Sequence, residues 1–137
     1  MTSRFTELTV DCRDPERLAA FWCEVLGFTV IDRSEGMVEI GSWEPTVEAI
    51  RAGQMPPTIV FIQVPEAKAV KNRLHLDVSP IDATTEEEAA RLIGLGATKV
   101  DVGQGPARSW VVMADPEGNE FDVVRTLAPT APVTPTE

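Results

Sequence analysis

Apolar and polar positions alternate at the start of the chain. Leu8 and Val10 take one face and Glu7, Thr9 and Asp11 the other, which predicts a half-buried strand. Asp14-Pro15 follows, a capping residue with proline at the first helical position. Leu18, Phe21, Trp22, Val25 and Leu26 then recur at helical spacing, so an amphipathic helix is expected, with Trp22 in the core and Gly27 closing the last turn. Phe28–Asp32 and Met37–Ile40 read as short strands around Ser34-Glu35-Gly36. Trp43–Gln54 shows no clear period and reads as loop. Thr58–Val64 is strongly apolar and reads as a well-buried strand between two prolines.

The second half repeats this order. Leu74, Leu76 and Val78 alternate with His75, Asp77 and Ser79. Thr85-Glu86-Glu87-Glu88 reads as a capping box, and Ala89, Leu92 and Ile93 as the buried stripe of a helix that Gly96 ends. Thr98–Val102, Trp110–Ala114 and Glu120–Val124 read as strands. Asp115-Pro116-Glu117-Gly118-Asn119 is a turn in which Glu117 is expected to be exposed. The repetition is numerical as well. Glu7 and Asp14 precede His75 and Asp82 by 68 residues, and Leu26-Gly27 precedes Leu95-Gly96 by 69. The chain therefore reads as two copies of strand–helix–strand–strand–strand, about 4–65 and 72–126, in one folded unit of 4–126. The Pro/Thr-rich segment 127–137 offers almost nothing to bury and is expected to be disordered or extended.

Composition narrows the function. The 137 residues include 22 acids and 12 bases, a formal charge of −10. That balance argues against nucleic acid and against anionic membranes as partners. No apolar leader or spanning run is visible, so a cytoplasmic protein is expected. Cys12 and Cys23 fit no metal or redox spacing and read as small buried hydrophobes. The single histidine excludes every metal site that needs two histidines from one chain. Lys68, Lys71 and Arg73 form the one local basic cluster, read as a solvated turn or an anion anchor.

Four motifs occur in a telling order: Asp14-Pro15-Glu16-Arg17-Leu18-Ala19-Ala20-Phe21-Trp22 leading to Leu26-Gly27-Phe28; Lys71-Asn72-Arg73-Leu74-His75-Leu76-Asp77; Leu95-Gly96-Ala97; and Asp115-Pro116-Glu117-Gly118-Asn119-Glu120-Phe121. With these motifs the sequence resembles the vicinal oxygen chelate superfamily. That superfamily includes glyoxalase I, extradiol dioxygenases and the bleomycin- and fosfomycin-resistance proteins. The Phe-Trp pair and the Lys-Asn-Arg-x-His-Leu-Asp run look most like a glyoxalase-like branch common in actinobacteria.

The resemblance implies an α+β fold: two βαβββ repeats forming a curved eight-stranded mixed sheet, helices outside. It also implies a homodimer and a small-molecule ligand in the sheet concavity. Carried over by position, the metal ligands are Glu7, His75 and Asp122, with Gln63 or Phe61 as a fourth. The implied cofactor is one divalent ion (Ni, Zn, Mn, Fe or Co) and no organic group. The alternative at this position is a degenerate site in which His75 hydrogen-bonds Glu7 or Asp122. Trp43, Phe61, Gln63, Trp110 and Met113 are candidate pocket residues, since ligand cavities are largely apolar with a few polar anchors. Three functions follow: a glyoxalase-like lyase or isomerase acting on vicinal oxygens, a non-catalytic drug- or small-molecule-binding protein, and a regulatory dimer with a vestigial cavity.

Overall fold

The computed structural model describes residues 2–101 and 110–129. Two compact units share the chain. One runs to Val70 and includes the turn tip Pro116–Gly118; the other spans Lys71–Asp115 and resumes at Asn119.

The first unit contains β1 (Glu7–Cys12), α1 (Pro15–Leu26), β2 (Thr29–Ser34), β3 (Met37–Gly41), α2 (Val47–Arg51) and β4 (Thr58–Gln63). Its four-stranded sheet has the order β1-β4-β3-β2, with β1 and β4 parallel and the other pairs antiparallel. Asp14 caps α1 by accepting the Arg17 N–H at 3.1 Å, and Gly27 ends it at φ 67°. Leu18, Phe21 and Trp22 on α1 meet the sheet face that carries Val38, Ile40 and Phe61, all nearly fully buried. Trp22 is thus core, packed edge-on against Phe21 with ring centroids 5.3 Å apart.

The second unit contains β5 (Asp77–Val78), α3 (Thr85–Leu95), β6 (Thr98–Lys99), β7 (Val111–Ala114) and β8 (Glu120–Val123). Its sheet order is β5-β8-β7-β6, again with the first and last strands parallel. The order first-fourth-third-second thus occurs twice, as the 68-residue repeat implied. The eight strands are divided between two four-stranded sheets.

The structure corrects several local expectations. Segment 43–54 is not all loop: Thr46 accepts the Ala49 N–H at 3.1 Å and starts α2. The cap of α3 is Thr84, one residue early, because Thr85 donates its hydroxyl to the Val124 carbonyl instead. Ile93 is 47% exposed at the margin of a stripe whose centre is Ala89 and Leu92. Leu74 is 83% exposed, since β8 begins only after the turn at Gly118 and offers β5 no ladder partner before Leu76. The turn itself forms as expected, with Asp115 accepting the Asn119 backbone and side-chain N–H groups. Its Glu117 is half-buried rather than exposed, and its carboxylate accepts the Arg13 and Asp14 N–H groups at 2.7 and 2.9 Å. Cys12 is buried, Cys23 half-buried, and neither forms a disulfide. Of the expected tail, Leu127 donates its N–H to the Pro80 carbonyl at 2.7 Å. Residues 130–137, and the Val102 end of the sixth strand, lie outside the described residues.

Candidate functional site

In the second unit, strand parity sorts the side chains. The pairs Asp77↔Asp122 and Val112↔Asp122 put those residues on one sheet face. Phe121, Val123 and Met113 fall on the opposite face and are fully or almost fully buried. His75 precedes β5 by two residues and keeps the parity of Asp77. The result is a compact donor cluster. His75 Nε2 lies 3.2 Å from Asp122 Oδ2 and 3.7 Å from Asp77 Oδ1. One donor atom each from His75, Asp77 and Asp122 fall within 4.8 Å of one another, the one such group of three among the described residues. Burial raises the Asp122 carboxyl from its ordinary pKa. The hydrogen bond shared with Asp77 pushes the same way, and the charge of His75 opposes it.

Glu7 belongs to the first unit. It sits on the sheet face opposite α1, beside Thr58 across the β1–β4 ladder. Thr58 donates to Glu39 Oε2 at 2.6 Å. These three line a cavity of about 320 Å³ whose other walls include Phe5, Ile50 and Met55.

The ladder also fixes the β4 register that the sequence left open. Phe61 and Gln63 pair with Val10 and Cys12, so both point to the face opposite Glu7. Phe61 is fully buried core, and Gln63 is exposed with its amide donating to the Arg13 carbonyl at 3.3 Å. Asp77 pairs with Asp122, and its counterpart 68 residues earlier, Thr9, pairs with Val60. The first-unit equivalent of Asp122 is therefore Val60, which has no donor atom. Among the pocket candidates Met113 is also buried core, Trp110 is half-buried at the entry to β7, and Trp43 is 46% exposed and not among the residues lining the cavity.

Asp77 is the residue the sequence reading passed over. Its signal was present, because His75 and Asp77 are two apart on an alternating strand and must share a face.

A repeated four-stranded unit whose first and last strands run parallel, with a helix on one face, defines the class of α+β protein to which the chain belongs. The chain matches the glyoxalase-like domain over residues 7–124 and belongs to that family. Solved structures agree on the fold. A glyoxalase/bleomycin resistance protein/dioxygenase family enzyme from Burkholderia phytofirmans is 22% identical, with a TM-score of 0.61 over 88% of this chain and 97% of that one. The fosfomycin resistance protein FosX from Mesorhizobium loti is 18% identical, TM-score 0.63, over 93% and 96%. FosX from Listeria monocytogenes, complexed with Mn(II) and sulfate, is 14% identical, TM-score 0.66, over 92% of each chain. Comparison with curated proteins finds no match. No helix among the described residues is long and apolar enough to cross a membrane.

Proposed function

We propose that this glyoxalase-like domain binds a divalent cation through His75, Asp77 and Asp122 and uses it to hold a small molecule with vicinal oxygens. The observation that carries the reading is the convergence of one imidazole nitrogen and two carboxylate oxygens within 4.8 Å. That donor set suits a six-coordinate first-row ion, whether Ni, Zn, Mn, Fe or Co, with water or ligand oxygens completing the shell. The Mn(II) complex of the Listeria FosX, which shares the fold, supports an ion of this class.

When bound, the ion supplies Lewis-acid polarisation of a ligand oxygen. The chain's own part is positional. The β5–β8 ladder fixes the Asp77 and Asp122 backbones opposite each other, and Asp122, with its side chain 16% exposed, holds its oxygens with little competition from water. Such a site fits lyase or isomerase chemistry on a vicinal-oxygen substrate. A homodimer of the 14.9 kDa chain is the assembly this reading expects.

Metal analysis of protein purified without chelator tests the proposal. One ion per chain is expected, lost in His75→Ala and weakened about tenfold or more in Asp77→Asn. Glu7→Gln is expected to keep the ion, because all three donors come from the second unit. A protein that holds no metal and takes up none on titration ends the reading. Stoichiometric metal with no turnover of any vicinal-oxygen compound would place the chain among binding proteins.

A further inference from the structure

We propose that the first unit's cavity is a second ligand site, selective for the ammonium end of a small organic amine. Its volume of about 320 Å³ is within the range of small-molecule sites. Its walls are Phe5, Ile50 and Met55, and its fixed charges are Arg4, Glu7 and Glu39.

The charges are not equivalent. The Arg4 guanidinium is held by the chain: Nη2 donates to the Arg51 carbonyl at 3.1 Å, and the group lies against Gly53. Glu39 is half-buried and accepts one hydrogen bond, from Thr58. Glu7 has neither an ion pair nor a hydrogen bond among the described residues and lies beside Thr58 on the ladder.

The cavity therefore presents a row of carboxylate, hydroxyl and carboxylate, with the Glu7 end exposed and the Glu39 end half-buried. A primary ammonium has three donors and a positive charge, and it satisfies such a row where a neutral hydroxyl satisfies only part of it. The apolar walls then take the hydrocarbon body of the ligand, with the Phe5 ring open to solvent and free to pack on it. Glu7 and Glu39 are not joined by a third donor into a metal-competent group among the described residues, so an organic cation is the better fit. The site stands on first-unit residues and does not rest on the ion proposed for the second.

Benzylamine, benzyl alcohol and benzoate are isosteric probes for this site. Calorimetry and ligand-observed NMR at neutral pH are expected to rank benzylammonium about tenfold or more above benzyl alcohol, with benzoate unbound. Glu39→Gln and Glu7→Gln should each weaken benzylamine about tenfold, and the double variant should bring it to the level of the alcohol. Circular dichroism and thermal melts report whether these variants keep the fold. His75→Ala should bind benzylamine as the parent does, which separates this site from the metal reading. Equal affinity for amine and alcohol, amine affinity unchanged in the double variant, or no binding of benzylamine overturns the proposal.

Discussion

Asp77 and Asp122 face each other across a parallel ladder, and two carboxyls so placed cannot both ionise cheaply. Burial raises the Asp122 pKa first, and the hydrogen bond with Asp77, which needs a proton, raises it further. The sign for stability follows. With its folded value raised, Asp122 contributes stability that is fully present below the ordinary carboxylate pKa and lost as pH rises through the raised one. A divalent ion takes the ionised form, so metal affinity should climb as pH rises through that same value. Metal titrations at a series of pH values check this, and a flat profile across the acid range would sink it. Glu117 is the other residue whose role is set by local pairing. Its two oxygens take the N–H groups of Arg13 and Asp14, which no helix bond satisfies. Glu117→Ala should lower stability by about 1–2 kcal/mol, and Glu117→Gln by less, since an amide oxygen can still accept one of the two. Urea midpoints of the three proteins give the comparison.

Strands and helices were legible to different degrees. Both long helices could be read from period and closing glycine, because burial of one stripe and an αL glycine each leave a residue-type signature. Strand existence was legible for the same reason. Strand register was not: whether Phe61 or Val60 shares a face with Glu7 depends on parity relative to a partner strand, and all of Thr58–Phe61 are buried, so alternation is silent there. The choice of Thr84 over Thr85 as cap was hidden likewise, since adjacent threonines look alike until Thr85 finds the Val124 carbonyl. That assignment makes a test. Thr84→Ala removes the acceptor for the Glu87 N–H and should cost about 1 kcal/mol, while Thr84→Ser should be nearly silent. A loss in Thr84→Ser equal to that in Thr84→Ala would mean the threonine acts through packing instead.

At the scale of the whole chain, duplication gave two units of one topology and unequal chemistry. The acids and bases are shared evenly, five bases with ten acids in 1–65 and seven with twelve in 66–137, so net charge does not distinguish the halves. What distinguishes them is three strand positions: His75, Asp77 and Asp122 in the second unit stand where the first has Glu7, Thr9 and Val60. Because His75, Asp77 and Asp122 all lie in the second unit, an ion bound there should stabilise that unit's ladder directly. At free metal about a hundredfold above Kd the gain is about 2.7 kcal/mol, provided the unfolded chain does not bind it. Hydrogen exchange can place that energy. The Asp122 and Val124 amides, bonded to the Leu76 and Val78 carbonyls, should slow by about a hundredfold when metal is added. The Thr58 and Val64 amides of the first unit, bonded to Thr6 and Cys12, should change less if the units open separately. Equal slowing in both would mean that they unfold as one cooperative body. No slowing at Asp122 and Val124 would mean that the ion, if bound at all, is not held by the β5–β8 pair.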